Sequence, residues 1–163
     1  MIVMWAIISI LVENKPGILF KVTHLFRSRN FNIESISVGV TADPEFSRMT
    51  ITTVGDEKQI EQIVKQLDKM IDTVEVQRLD EHKTVFRELI LIKIRISKAS
   101  DSMEINKLAN AYGAKVHDVK KDSIMVELTA TPDQINAFEE LAKPYGILET
   151  ARTGVAALQR TGA

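Results

Sequence analysis

The sequence predicts an α+β fold made of two tandem βαββαβ units, and three observations carry that prediction. Apolar residues recur with period two in some stretches and at helical spacing in others, and the same order of stretches occurs twice. A short charged connector, Asp80-Glu81-His82-Lys83, separates the two occurrences. Helix-start signatures stand before the second helix of each half, Asp56 in one and Thr131-Pro132-Asp133-Gln134 in the other. Each half is therefore expected to be a ferredoxin-like domain, a four-stranded antiparallel sheet with two helices on one face. The expected boundaries are a first domain over 1–79, a linker over 80–84, and a second domain over 85–163 that ends in a short tail.

In the first half, Trp5 to Val12 is a near-continuous apolar run that reads as a buried strand. Ile18, Leu19, Val22, Leu25 and Phe26 then mark one face of a helix. From Asn32 to Val40, Ile36, Val38 and Val40 alternate with polar residues and glycine, and the loop Thr41–Phe46 leads into a strand over Arg48–Val54. Met49, Ile51 and Thr53 share one face of that strand. Asp56 caps a helix with the stripe Ile60, Ile63, Val64, Leu67 and Met70, and Thr73 to Leu79 alternates again.

The second half repeats the order. Glu88 to Ile96 reads as a strand, and Ser100 or Asp101 caps a helix carrying Ile105, Leu108, Ala109 and Tyr112. Gly113 suits the C-terminal stop of that helix. Ala114–Val119 and Ser123–Leu128 form a hairpin around Lys121-Asp122. A final helix carries Ile135, Phe138 and Leu141, and Gly146 to Ala151 closes the sheet. In each half the sheet face without helices needs a cover, which favours a dimer or packing of the halves.

Composition narrows the function. Apolar residues make up 45% and charged residues 26%, so the chain can bury a core, although two halves of this size are each marginal alone. The formal net charge is −1, which provides no global field for nucleic acid or anionic lipid. Cysteine is absent, removing disulfides, thiolate metal sites and cysteine nucleophiles, and this suits a cytoplasmic setting. The apolar stretch Ile2–Val12 is about half the length needed to cross a bilayer, so a core strand is expected there rather than a signal or membrane segment.

The stretch Glu13-Asn14-Lys15-Pro16-Gly17 joins the first strand to the first helix. Asn14 can turn the chain, Pro16 fits a turn or the first helical position, and Gly17 permits close approach. The N–H groups that open a helix favour a carboxylate or phosphate. The junction is either an ordinary capped turn or a place to hold a small anion such as an amino acid. Backbone N–H groups near Gly17 and Ile18 could take the carboxylate. The Asn14 amide, both donor and acceptor, could serve either end of a zwitterion.

With these segments in place, the chain resembles the small regulatory subunits of acetolactate synthase (acetohydroxyacid synthase), and its first half resembles an ACT domain, an amino-acid-binding ferredoxin-like module. The matching segments are Leu11–Gly17, Phe31-Asn32-Ile33-Glu34-Ser35-Ile36, Asp43-Pro44, Ser47-Arg48-Met49-Thr50-Ile51 and Val54-Gly55-Asp56-Glu57. Arg87-Glu88-Leu89 and Ala151-Arg152-Thr153-Gly154-Val155 continue the match in the second half. The resemblance implies a non-catalytic chain that pairs as a homodimer. It would activate an acetolactate synthase catalytic subunit and confer feedback inhibition by a branched-chain amino acid, usually valine. It implies an effector site of Asn14, Pro16, Gly17 and Ile18 from one chain, with Asn32 and Ile33 from the neighbouring one. No cofactor is expected in this chain; thiamine diphosphate, magnesium and FAD belong to the catalytic partner. Asp43, Pro44, Arg48 and Met49 are the candidate contacts with that partner, and Arg152-Thr153-Gly154 is a weaker second candidate. An ACT regulator of another enzyme is the alternative implied.

Other chemistries lack a constellation. His24, His82 and His117 are far apart and show no zinc-type spacing, so no metal site is expected. No phosphate-binding glycine loop or nucleophile elbow occurs. RNA-recognition modules share the βαββαβ order but stack bases on sheet aromatics, and Arg48–Val54 and Ser123–Leu128 contain none. No nucleic acid and no membrane partner is expected.

Overall fold

The computed structural model describes residues 2–163. The chain forms two compact units, Met1–Phe86 with Val155–Ala163, and Arg87–Gly154.

In the first unit, β1 (Met4–Glu13), α1 (Ile18–Ser28), β2 (Ser35–Val40), β3 (Phe46–Gly55), α2 (Glu57–Asp68) and β4 (Thr73–Leu79) follow in order. The sheet is antiparallel with strand order β2-β3-β1-β4. Alternation decides what each strand buries. Even-numbered Ile8, Ile10 and Val12 of β1 turn toward the helices and meet Val22 and Phe26 of α1 and Ile63 and Leu67 of α2. Each of these side chains is fully or almost fully buried, and burial contributes about 1.5–3 kcal/mol apiece. α2 starts where its sequence signal places it: the Asp56 carboxylate accepts from Gln59 N–H at 2.8 Å, and the Gln59 side chain accepts from Asp56 N–H at 2.9 Å. Those reciprocal bonds satisfy two of the donors that open the helix.

The other face of the first sheet carries a second cluster. Ile7 packs with Leu79, Val155 and Ala157, flanked by Trp5 and Phe86, whose rings lie 5.7 Å apart. Val155 and Ala157 come from the end of the chain, where β9 (Ala156–Gln159) pairs with β5 (Thr84–Arg95). The tail expected as an appendage of the second domain thus belongs to the first unit. It covers apolar surface that the first sheet would otherwise expose. The connector is also structured: Glu81–Lys83 is a 3-10 turn, with the Asp80 side chain accepting from His82 N–H. The division between units falls between Phe86 and Arg87, within β5, rather than in 80–84.

The second unit comprises the rest of β5, α3 (Ala99–Ala111), β6 (Lys115–Val119), β7 (Ser123–Ala130), α4 (Pro132–Ala142) and β8 (Ile147–Arg152). Its antiparallel strand order is β6-β7-β5-β8, the same arrangement as in the first unit. Ile90, Ile92 and Ile94 of β5 face Ile105 of α3 and Ile135 and Phe138 of α4. Two local expectations change. Ser100 and Asp101 are not N-caps; α3 begins at Ala99, and the Asp101 carboxylate reaches back to accept from Ser97 and Lys98 N–H, each at 2.8 Å. On α4 the stripe ends on Ala142, fully buried, whereas Leu141 is 50% exposed, because position 142 returns to the face of Ile135 and Phe138 after two turns.

Candidate functional site

The turn between β1 and α1 is held from three sides. Glu13 N–H donates to the Asp72 carbonyl at 2.9 Å, Asn14 N–H to the Glu45 carbonyl at 2.7 Å, and Lys15 N–H to the Glu13 carbonyl at 3.0 Å. Lys21 on the first turn of α1 reaches Asp72 at 2.6 Å, fixing the helix against the α2–β4 loop. Lys15 pairs with Glu13, and that hydrogen bond raises the ammonium above its ordinary range.

Gly17 ends the turn as the residue before the helix, with φ 87° and ψ −7°. That left-handed conformation is the reason for glycine within this chain, since a Cβ added there meets nothing within 4 Å. The space over Gly17 is open. α1 has no side-chain cap and no acid in its first turn, unlike α2 and α4, which carry reciprocal capping boxes. The N-terminal end of α1 therefore keeps its partial positive charge. Exposed Leu19 and Phe20, at 46% and 71%, stand beside it. N–H donors next to open apolar surface suit a ligand with a carboxylate and an aliphatic side chain.

Asn14, Pro16 and Gly17 are exposed at this turn, whereas the Ile18 side chain is 3% exposed and packs in the core, and its N–H donates to the Lys15 carbonyl at 3.4 Å. Asn32 and Ile33 lie beyond the other end of α1. The helix has 11 residues, a length of about 16 Å, so one chain does not bring the two sets together. The Asn32 side chain donates to Glu34 at 2.8 Å, and its carbonyl accepts from Thr53 Oγ1 at 2.6 Å. Asn32 and Ile33 line an open cleft of about 370 Å³ with Phe31, Asn30, Arg27 and Thr23. Asn30 adopts φ 57°, the left-handed turn that ends α1.

The β2–β3 loop carries the other candidates. Asp43 organises it, its side chain accepting from Glu45 N–H at 3.0 Å and its carbonyl from Phe46 N–H at 3.1 Å. The Pro44 carbonyl accepts from the Asn14 side chain. Arg48 donates to Ser9 Oγ at 2.7 Å on the sheet face away from the helices. Met49 is 2% exposed and packs in the core beneath the sheet, so its side chain presents nothing to a partner. Alternation along β3 makes this unavoidable once Ile51 faces inward. Ser47, not among the candidates, donates to Asn14 Oδ1 at 3.1 Å. Its signal is present only as the first residue of the Ser-Arg-Met-Thr segment.

In the second unit, Arg152 forks onto Glu88 and also reaches Asn136 and Glu139, each at 2.9 Å. The Glu88 hydrogen bond, first among its neighbours, raises the Arg152 guanidinium above its already high range. Among the described residues no group of three or more acidic or histidine side chains could hold a metal ion, and no helix is long and apolar enough to cross a membrane. His24 stacks on Phe20, and His117 pairs with Glu127.

Comparison with known proteins agrees with this architecture. A family model for AHAS small subunit-like ACT domains matches residues 8–75, and one for the small subunit of acetolactate synthase matches residues 87–161. The acetolactate synthase small subunit of Bacillus subtilis is 44% identical over 155 residues, covering 94% of this chain and 90% of its own length. That of Mycolicibacterium smegmatis is 42% identical over 153 residues, covering 94% and 89%. The crystal structure of the acetolactate synthase small subunit from Thermotoga maritima superposes with a TM-score of 0.89 at 38% identity, over 98% of this chain and 99% of that one. The chain belongs to the acetolactate synthase small-subunit family, as a non-catalytic regulatory subunit whose N-terminal half is an ACT domain.

Proposed function

We propose that this chain activates the acetolactate synthase catalytic subunit and makes it sensitive to a branched-chain amino acid, with valine the first choice. The observation that carries the effector site is the open, uncapped N-terminus of α1 behind left-handed Gly17. The carboxylate would accept from backbone N–H groups there, and Asn14 would serve the ammonium or carboxylate. A second copy completes the pocket. β2 is an edge strand with Val38 and Val40 exposed. A twofold pairing across it would set the two α1 helices antiparallel, bringing Asn32 and Ile33 of one copy to the Gly17 turn of the other. Ile33 would then meet the aliphatic side chain.

The β2–β3 loop with Asp43, Pro44 and Arg48 is the proposed contact with the catalytic subunit. Thiamine diphosphate, magnesium and FAD would reside on that subunit, and the complex would work in the cytoplasm. Selectivity among valine, leucine and isoleucine would be modest, because one methylene is worth only about 1–3 kcal/mol.

Reconstitution tests the reading. The catalytic subunit is assayed for acetolactate formation from pyruvate with increasing amounts of this chain, then with L-valine. A rise in rate that saturates with this chain and falls on adding L-valine is expected. A rate that does not respond to this chain would overturn it.

A further inference from the structure

Asn14 belongs at once to the β1–α1 turn and to the β2–β3 loop. Its N–H donates to the Glu45 carbonyl at 2.7 Å, its Nδ2 to the Pro44 carbonyl at 3.0 Å, and its Oδ1 accepts from Ser47 Oγ at 3.1 Å. The loop is itself tied together: Thr41 N–H donates to the Phe46 carbonyl at 2.9 Å, and Asp43 accepts from both Glu45 and Phe46 N–H. A shift of Pro44 therefore carries Asp43 and Glu45 with it. Ser47 is 6% exposed, so its hydroxyl has few other positions to take.

An asparagine amide has two N–H donors and two acceptor lone pairs. Pro44 and Ser47 use one of each. An amino acid at the turn reaches Asn14 either by taking the remaining donor or acceptor, or by turning the amide away from Pro44 and Ser47. Turning the amide breaks both bonds to the loop, whereas filling the spare donor or acceptor keeps them and fixes the amide that makes them.

We propose that Asn14 and Ser47 form a latch that transmits occupation of the β1–α1 turn to the β2–β3 loop, and so to the catalytic subunit. This rests on the effector reading given above. Ser47 is a positioning residue, which acts on the loop only through Asn14.

The test uses the full chain, alone and with the catalytic subunit, and L-valine as probe. Its Kd is measured in both states for the native chain and for Ser47→Ala, and backbone hydrogen exchange of residues 41–46 is followed with and without L-valine. For the native chain the catalytic subunit should shift the Kd by about 5–150-fold. In Ser47→Ala that shift should shrink about five-fold, the effect of one neutral hydrogen bond, while the Kd of the isolated chain stays within about three-fold of native. L-valine should change exchange at 41–46 in the native chain and change it less in the variant, which keeps the Asn14–Pro44 bond. If L-valine binds but exchange at 41–46 does not respond, or Ser47→Ala keeps the native shift, the latch is overturned and the effector reading stands. If none of L-valine, L-leucine and L-isoleucine binds the native chain, the effector reading fails and takes the latch with it.

Discussion

Arg152, the last residue of β8, donates through Nε and Nη2 to the two carboxylate oxygens of Glu88 on β5, at 2.8 and 2.9 Å. The Glu88 side chain is 5% exposed and that of Arg152 30%. Replacing Arg152 by methionine would leave a buried carboxylate without its cation. Loss of one partner from a buried pair costs about 3–5 kcal/mol, and the solvent exposure of Arg152 lowers the expectation to about 2 kcal/mol. Urea denaturation of Arg152→Met against the native chain measures it. A double variant, Glu88→Leu with Arg152→Met, should recover part of the loss.

Asp101 gives a pH dependence of known sign. The N–H groups of Lys98 and Ser97 hold its carboxyl below the ordinary range. An acid depressed in the folded state stabilises the fold above its unfolded value, about 3.9, and that contribution disappears as pH falls through the lower folded value. The Tm of the native chain should exceed that of Asp101→Asn at neutral pH. The gap should close progressively in acid below about pH 4.

The C-terminal tail should stabilise the first unit. Val155 and Ala157, 1% and 6% exposed, sit against Ile7 and Leu79. Removing residues 155–163 uncovers that cluster, with an expected loss of about 3 kcal/mol. The single tryptophan, Trp5, flanks it and should show red-shifted emission after truncation.

What was legible in the sequence follows from how local each signal is. The caps of α2 and α4 are written within four residues, Asp56 to Gln59 and Thr131 to Gln134, and the structure uses both. The start of α3 was not, because Lys98 offers no acceptor and the cap is supplied by Asp101 from inside the helix. β9 escaped because Ala156–Gln159 is only four residues long and pairs with a strand some seventy positions earlier. At the site, the sequence marks Gly17 for close approach, whereas within this chain the left-handed φ of 87° is what requires glycine. The bonds from Asn14 to Pro44 and Ser47 span 30 and 33 residues, and no periodicity announces them. Met49 shows two signals in conflict: the resemblance offered it as a contact, while the alternation with Ile51 had already turned it inward.

Gly17 separates backbone strain from ligand chemistry. Alanine there meets no neighbour but must adopt φ near 87°, a loss of about 1 kcal/mol. Asparagine tolerates that conformation better, and aspartate differs from it chiefly in charge. Thermal melts of Gly17→Ala, Gly17→Asn and Gly17→Asp should rank asparagine as the mildest change.

Calorimetric titration with L-valine, comparing the native chain with Gly17→Asn and Gly17→Asp, tests the effector site most directly. Saturable binding by the native chain, kept within about ten-fold by Gly17→Asn and abolished by Gly17→Asp, is expected, because the aspartate carboxylate would occupy and repel at the helix N-terminus. Binding by Gly17→Asp as tight as native, or no binding of valine, leucine or isoleucine by the native chain, would contradict an amino-acid site at this turn.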